Sequence, residues 1–293
     1  MGTRHGDTAM LLLLLCLLPL SVLPLSYIGV GATGPVGRRF IDLVGGKKSN
    51  DVLVLGRNGF LASAPGRVSH DYGYLGPKLM KKTGAKIRDW DGGDILDITG
   101  DTWIGWQDDV ANFKGDVAIS FTGCLYDARV MAVDRLVTAF SGMGEGSGRP
   151  KRFICVTPLE EIVNSPKGKE NVAAAAEAAA KLTDAGVSVI NVKMGRVLGL
   201  KTDSIEATMY GHMYKMVGGG LIGRAEGSGG DVPWVHVDDA VRAIASVAAS
   251  PTFADGAAGA AATVILDASK PLTAEAKEAG VSYEITDLKQ ALS

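Results

Sequence analysis

Apolar runs alternate along the chain with segments of helical periodicity. Short apolar or β-branched runs predict strands at 27–30, 51–55, 85–88, 116–121, 152–157, 187–192 and 263–266. Helical spacing of apolar residues, or a run of strong helix formers, predicts helices at 38–44, 130–140, 171–185, 210–217, 240–249 and 270–280. Alternation of this kind is typical of βαβ units. The pattern therefore predicts an α/β fold with a doubly wound, mainly parallel sheet.

A glycine-rich turn follows the first predicted strand and opens the first predicted helix. Glycines in that context let the backbone turn tightly and approach a pyrophosphate, which sits at the helix N-terminus. The candidate ligand-binding residues of the turn are Gly31, Thr33, Gly34, Pro35, Val36 and Gly37. The turn predicts a dinucleotide site, and the alternative is a turn with a purely structural role.

The residues after the second predicted strand indicate which dinucleotide is bound. In NAD-binding fingerprints an acidic residue about 20 positions after the glycines holds the ribose 2′-hydroxyl. Arg57 and Asn58 stand there instead. A guanidinium can pair with a 2′-phosphate, so the sequence predicts NADP in preference to NAD. A surface arginine that closes the turn is the alternative.

The end of the strand at 116–121 provides a further candidate contact. Thr122 and Gly123 follow that strand directly. Small residues at the carboxyl end of a parallel strand leave room for a cofactor ribose, because ligands of open α/β sheets bind at this edge. An ordinary junction between strand and loop has the same composition.

Composition excludes several classes of protein and of site. Apolar residues make up 46% of the chain and charged residues 21%, which is a globular balance, and the net charge of −2 gives no electrostatic footprint for nucleic acid. Cys16, Cys124 and Cys155 have neither zinc-site nor disulfide spacing. Buried thiols are expected at Cys124 and Cys155, and no metal site is predicted.

These features together resemble the extended or atypical branch of the short-chain dehydrogenase/reductase superfamily. The turn at 31–37 and the segment K-M-G-R-V-L-G at 193–199 are similar to elements of that branch, which usually has Arg where Lys193 stands. The glycine-rich segment at 218–223 and W-V-H-V-D-D at 234–239 resemble the SulA-like family of sugar-nucleotide epimerases. The resemblance implies a Rossmann-type NAD(P)-binding domain over 25–200 and a small C-terminal substrate-type lobe over 201–293.

The resemblance also implies a catalytic pair that this chain lacks. Active members use a Tyr as acid/base and a Lys that lowers its pKa. Aligned through Glu177, those places fall at Lys169 and Ala173, and no Tyr occurs between 126 and 210. The catalytic residue is therefore unassigned. Thr157 is a candidate both for the family's usual serine and for a cofactor contact.

Two other side chains are candidates for proton transfer. Tyr126 follows Gly123 closely enough to face the same site, and His236 titrates in a useful range. His236 stands among alternating apolar residues, so a core histidine bonded to the backbone is the alternative. Asp238 or Asp239 is expected to cap the helix at 240–249.

The beginning of the chain predicts a targeting or anchoring segment. No charged residue occurs from Met10 to Gly37, and Arg4 precedes the run. Residues 1–24 are therefore expected to lie outside the fold, with membrane contact through residues 10–25. An organellar location, in a plastid or mitochondrion, is expected, with a secretory route as the alternative.

Two functions from different classes follow. One is an NAD(P)-binding, epimerase-like short-chain dehydrogenase/reductase protein that acts on a sugar or another small molecule by hydride transfer. The alternative is a catalytically silent NADPH-binding accessory subunit of an organellar membrane complex, respiratory or photosynthetic. The missing Tyr/Lys pair and the apolar leader favour the second, and the glycine turn is compatible with both.

Overall fold

The computed structural model of the chain describes residues 24–45, 50–56, 75–90, 105–144, 146–199, 232–253, 261–287 and 291. Within these residues seven strands form one parallel sheet in the order β3-β2-β1-β4-β5-β6-β9. They are β1 (Ser26–Val30), β2 (Asp51–Gly56), β3 (Lys86–Asp89), β4 (Val117–Ser120), β5 (Arg152–Pro158), β6 (Ser188–Met194) and β9 (Ala262–Leu266). Two short strands, β7 (Arg196–Leu198) and β8 (Trp234–His236), form a separate parallel pair.

Helices cover both faces of the sheet. They are α1 (Pro35–Gly45), α2 (Pro77–Thr83), α3 (Trp106–Phe113), α4 (Asp127–Gly142), α5 (Pro166–Ala180), α6 (Val237–Ala249) and α7 (Ala274–Glu278). One apolar cluster joins the sheet to α1 and α6, and a second joins its other face to α3, α4 and α5. The predicted α/β fold with a doubly wound parallel sheet is confirmed.

The central strands are apolar on both sides because both faces of the sheet are covered. In β5, Ile154 and Val156 belong to the cluster beneath α1 and α6, whereas Phe153 and Cys155 belong to the opposite cluster. Alternation of this kind produces a continuous apolar run in the sequence, as parallel strands typically show. The run therefore predicted the strand correctly.

Helix α5 begins five residues earlier than the sequence predicts. Pro166 is the first residue of α5, and the Ser165 hydroxyl accepts a hydrogen bond from the Gly168 N–H at 3.2 Å. Serine followed by proline is a recognised helix start, and the prediction of a start at 171 missed it. The last five residues of that predicted helix form a 3₁₀ turn, Lys181–Ala185.

The predicted cap of α6 is wrong. This helix starts at Val237, and His236 precedes it: the His236 Nδ1 accepts the Asp238 N–H at 3.2 Å. Asp238 and Asp239 lie in the first helical turn rather than at the cap. An imidazole nitrogen can accept this hydrogen bond as a serine oxygen would, although histidine is not a usual capping residue.

The C-terminal part of the chain contributes to the main sheet. Strand β9 pairs in parallel with β6, so at least this part of the predicted lobe over 201–293 extends the sheet of the first domain. The predicted helix at 210–217 and the glycine-rich segment at 218–223 lie outside the described residues. The division at residue 200 stays a prediction.

The predicted leader over residues 1–24 lies almost entirely outside the described residues, which begin at residue 24. None of the helices in the described ranges combines the length and the apolar character that a membrane crossing requires.

Candidate dinucleotide site

The glycine turn is closed by backbone contacts. Gly31 has a φ of +66°, a left-handed conformation that other residues rarely adopt. The Gly34 N–H donates to the Gly31 carbonyl at 3.2 Å, and the Gly34 carbonyl accepts the Arg38 N–H at 2.9 Å. The chain therefore passes from β1 into α1 through one tight turn.

The turn leaves no room for a side chain at Gly37 and only a tight fit for one at Gly31. A Cβ on Gly37 would lie 2.3 Å from the Ala32 Cα, so α1 packs directly on the backbone of the turn. A Cβ on Gly31 would lie 3.2 Å from the Thr122 Cγ2. The first N–H groups of α1 have no partners within the helix and favour an anion there. A pyrophosphate fits this arrangement.

The strand order places a crevice beside this turn. Strand β1 lies between β2 and β4, and the chain builds outward from this point in both directions. The Phe121 N–H donates to the Val30 carbonyl at 2.8 Å, which extends the pairing to the turn itself. Ligands of open α/β sheets bind at such a switch point. The structure brings the predicted residues Gly31 and Thr122 together at its edge.

The residues after β4 are held by short polar contacts. The Thr122 hydroxyl lies 2.9 Å from the Ser120 hydroxyl and 3.3 Å from the Cys124 Sγ. Cys124 has a φ of +53°, which costs a residue with a Cβ roughly 1–2 kcal/mol. Thr122 and Gly123 therefore stand in a fixed arrangement at the mouth of the crevice.

Cys124 and Cys155 are buried thiols, as predicted. They contact each other: the hydrogen bond with Cys124 and complete burial raise the pKa of the Cys155 thiol. A thiol with a raised pKa stays protonated and is a poor nucleophile. Cys155 therefore has a packing role, in the apolar cluster between the sheet and helices α4 and α5.

Thr157 lies at the same edge of the sheet. It is buried, and it stands opposite Lys193 in the register of β5 and β6. The Lys193 Nζ lies 2.9 Å from the Glu160 Oε1, so its charge is already paired. Thr157 therefore places a hydroxyl group near the end of β5. Lys193, the cation opposite it, is paired with Glu160 and is not free to activate that hydroxyl.

The two places of the missing catalytic pair are exposed on α5. Lys169 and Ala173 are one helical turn apart in the first half of this helix. Neither has a hydroxyl group. Tyr126 precedes α4 and is 43% exposed. Burial raises the pKa of Tyr126, and the charge of Arg129 only partly opposes this. Tyr126 is thus not tuned toward proton transfer near neutral pH.

The His236 side chain is engaged in the structure. Its Nδ1 caps α6, and a Cβ on Gly199 would lie 1.9 Å from its Nε2. The imidazole therefore packs against the backbone at Gly199. The side chain is partly buried and bonded to the backbone, as the alternative to a proton-transfer role expects, and the role of His236 stays a prediction.

The two aspartates of the 234–239 element also have structural partners. The Asp238 Oδ1 accepts the Arg39 Nε–H at 2.5 Å, which ties α6 to α1. Burial alone would raise the pKa of Asp238, but the hydrogen bond and charge of Arg39 outweigh it and lower the pKa. Asp239 is 0% exposed and accepts the backbone N–H groups of Glu284 and Ile285, each at 2.9 Å.

Two predicted cofactor contacts lie outside the described residues, namely Arg57 and Asn58. The described ranges contain no group of three or more His, Cys, Asp or Glu side chains that could hold a metal ion. Arg196, in the segment at 193–199, was not among the predicted site residues, and its buried guanidinium lacks a hydrogen-bond partner among the described residues. The available signal was one charged residue between the apolar residues Met194 and Val197.

No protein-family model matches the sequence, and no curated protein matches it in sequence. In structure it is similar to UDP-glucuronic acid 4-epimerase from Bacillus cereus in complex with NAD: the identity is 11%, the match covers 91% of this chain and 97% of that chain, and the TM-score is 0.55. It is also similar to the Bordetella bronchiseptica enzyme WbmF in complex with NADH, with 13% identity, 92% and 82% coverage and a TM-score of 0.51.

At these identities the similarity concerns the fold. The chain has a Rossmann-type α/β fold that matches NAD-dependent epimerase structures. The glycine turn lies at the switch point of this fold.

Proposed function

We propose that the chain binds a nicotinamide dinucleotide in the crevice between β1 and β4, as an epimerase-like member of the short-chain dehydrogenase/reductase superfamily. The observation that carries the proposal is the glycine turn, where Gly31 contacts Thr122 and α1 packs on Ala32 without room for a Cβ at Gly37. The structures similar to this chain that were named above were solved with NAD or NADH.

Each group of predicted residues would contact a different part of the dinucleotide. Backbone N–H groups at Val36 and Gly37 would face the pyrophosphate at the start of α1. Thr122 and Gly123 would line the ribose on the nicotinamide side, and Thr157 would stand one strand further along. A bound nicotinamide supplies the capacity to accept or donate a hydride.

We further propose that the dinucleotide is NADP rather than NAD. Arg57 follows β2 directly in the sequence, at the place where NAD-binding proteins have a carboxylate. Its guanidinium provides a bidentate donor for a 2′-phosphate. Titration of the protein with NADPH and NADH, followed by nicotinamide fluorescence, tests this assignment.

The expected result is tighter binding of NADPH by the wild type and loss of that preference in Arg57→Ala. Removal of one charge-assisted pair should weaken NADPH binding about tenfold or more and leave NADH binding unchanged. An unchanged ratio of the two affinities would assign the 2′-phosphate to another residue. If neither NADPH nor NADH binds, the proposed function itself is wrong.

A second candidate function is that of a catalytically silent, NADPH-binding accessory subunit of an organellar membrane complex. It is favoured by the absence of a hydroxyl at Lys169 and Ala173 and by the pairing of Lys193 with Glu160. Burial raises the pKa of Tyr126, which does not favour proton transfer near neutral pH, and the Nδ1 of His236 is engaged by the Asp238 N–H.

Native mass determination on material isolated from its source distinguishes the two functions. A chain that migrates alone or as a small oligomer, and that exchanges hydride between NADPH and a sugar nucleotide, supports the enzyme. A chain that migrates within a large particle, with bound NADPH that is not consumed, supports the accessory subunit. The same isolation shows whether residues 1–24 are retained and which compartment holds the protein.

A further inference from the structure

Strand β7 contains a buried cation that pairs with no carboxylate of the described residues. Arg196 is 6% exposed. Its Nε, Nη1 and Nη2 atoms are all buried, and none of them has a hydrogen-bond partner in the described part of the chain. The backbone at this position is fixed, since the Arg196 N–H donates to the Pro233 carbonyl at 2.9 Å.

A buried guanidinium in this state is costly to the folded protein. Arginine does not lose its proton in proteins, so it cannot escape the cost of burial by becoming neutral. An unpaired charge removed from water destabilises the fold unless an anion or several acceptors compensate it. The folded state therefore retains a site that a ligand with the opposite charge would complete.

Arg196 lies at the carboxyl edge of the sheet. It follows the last residue of β6, Met194, by two positions. Val197 and Val235 pack against the cluster beneath α1 and α6. Because side chains alternate along a strand, Arg196 lies on the opposite face of the β7–β8 pair.

The glycine turn and Arg196 are too far apart to share one phosphate group. In the sheet order, β4 and β5 separate β1 from β6. Three strand spacings amount to about 14 Å. An anion at Arg196 therefore belongs to a different molecule or group from the pyrophosphate at the start of α1.

We propose that Arg196 binds an oxyanion of the substrate, a phosphate or a carboxylate, through two of its guanidinium nitrogens. Because the oxyanion is assigned to a substrate that binds beside the dinucleotide, this inference rests on the proposed function. The planar guanidinium matches either oxyanion with two parallel N–H···O bonds. The substrate is accordingly an anionic small molecule rather than a neutral sugar or alcohol.

Binding measurements on Arg196→Met, Arg196→Lys and wild type test the proposal. Each protein is saturated with NADPH and titrated calorimetrically with pyrophosphate, uridine diphosphate, glucuronate and, as a neutral probe, glucose. Thermal midpoints are measured without any ligand. Arg149→Met is the matched control, because Arg149 precedes β5 at the amino edge and donates to the Met143 carbonyl.

The wild type and Arg149→Met should bind at least one anionic probe and should not bind glucose. Arg196→Met should bind that probe at least about tenfold more weakly, with Arg196→Lys in between. Without ligand, Arg196→Met should have a midpoint at least as high as the wild type, because the unpaired charge is gone. Preference for the phosphate probes or for glucuronate identifies the source of the oxyanion.

Three outcomes overturn the inference: equal affinity of wild type and Arg196→Met for every probe, no anionic probe bound by the wild type, or a clearly lower ligand-free midpoint in Arg196→Met. The last would mean that Arg196 has a partner within the protein. Failure of NADPH to bind to the wild type is a separate result, and it overturns the proposed function.

Discussion

Arg152 and Arg196 are buried to a similar extent, one at the amino edge of the seven-stranded sheet and the other just beyond its carboxyl edge, in β7. Arg152 opens β5 at the amino edge, is 7% exposed, and donates to the carbonyls of Val247, Ala248 and Ser250 at the end of α6. Arg196 follows β6 at the carboxyl edge and has no described acceptor. The same type of side chain therefore has acceptors from the fold at one edge, and at the other edge it is the residue for which we propose an anionic ligand.

The contrast extends to neighbouring groups at the amino edge. The Asp116 Oδ2 accepts both the Ser26 N–H, at 3.1 Å, and the Ser26 hydroxyl, at 2.8 Å. The carboxyl edge instead has the glycine turn, whose helix N-terminus favours an anion. Asp116 at the amino edge is thus paired within the chain, whereas the start of α1 at the carboxyl edge has backbone N–H groups without partners inside the helix.

The largest effect on stability is expected at the amino edge, from Arg152→Met. The substitution removes all three hydrogen bonds of the charged guanidinium, each worth about 1.5–3 kcal/mol. The carbonyls of Val247 and Ser250 keep the N–H groups of Ser250 and Phe253, whereas that of Ala248 loses its described donor. The free energy of unfolding in urea should fall by about 3 kcal/mol or more. Arg88→Met, which removes an exposed ion pair with Asp109, is the control and should change it by less than about 1 kcal/mol. Equal losses in the two variants would contradict the role of Arg152.

At the carboxyl edge, Gly37→Ala should destabilise the protein by about 1–3 kcal/mol and abolish NADPH binding. The new Cβ would lie 2.3 Å from the Ala32 Cα, so α1 must move away from the turn. Gly142→Ala is the matched control, since a Cβ there meets nothing within 4 Å. Urea unfolding and NADPH fluorescence measure both effects. If Gly37→Ala still binds NADPH, the glycine turn is not part of the dinucleotide site.

A smaller effect is expected from Asp239→Asn, which tests whether the 234–239 element is structural. Asn offers one acceptor oxygen in place of two, so one N–H of the segment at 284–285 loses its partner. The free energy of unfolding should fall by about 1–2 kcal/mol, with the NADPH affinity of the folded protein unchanged. Asp238→Asn removes an exposed pair with Arg39 and should cost less than about 1 kcal/mol. A selective loss of NADPH affinity in Asp239→Asn would make the element part of the site.

The smallest effect concerns acid stability at the amino edge. Burial alone would raise the pKa of Asp116, but hydrogen bonds from Ser26 and the charge of Lys151 outweigh it and lower the pKa. A lowered pKa in the folded state adds stability that is complete above the unfolded value of about 3.9 and is lost as the pH falls through the folded value. The difference in unfolding free energy between wild type and Asp116→Asn should therefore shrink below about pH 4.

Urea midpoints measured from neutral to acid pH check this expectation, and Ser26→Ala should reproduce part of the change. A difference that stays constant through this range would show that the carboxylate of Asp116 does not contribute through its ionisation.

Most strands and the position of the glycine turn were predictable because they depend on local patterns. Buried parallel strands such as β4 and β5 read as short apolar runs, and the turn is recognisable from its glycines between a strand and a helix. Helix starts were predicted less well: α5 begins at Pro166 and α6 at Val237, because the caps at Ser165 and His236 were not recognised. The 234–239 element was the most specific resemblance in the sequence, yet its Asp239 binds the backbone of a segment 45 residues away.

The sequence by itself determined the α/β class, the dinucleotide-type turn and the absence of a hydroxyl at Lys169 and Ala173, because these follow from residue type and from spacing along the chain. Only the tertiary structure decided that Thr122 meets Gly31, that His236 caps a helix, and that β9 joins the main sheet. It also showed that Arg152 has hydrogen-bond acceptors and that Arg196 has none among the described residues. In the sequence both are simply charged residues within apolar runs. The physical reason is that the cost of a buried charge depends on the acceptors around it, and these come from segments remote in the sequence.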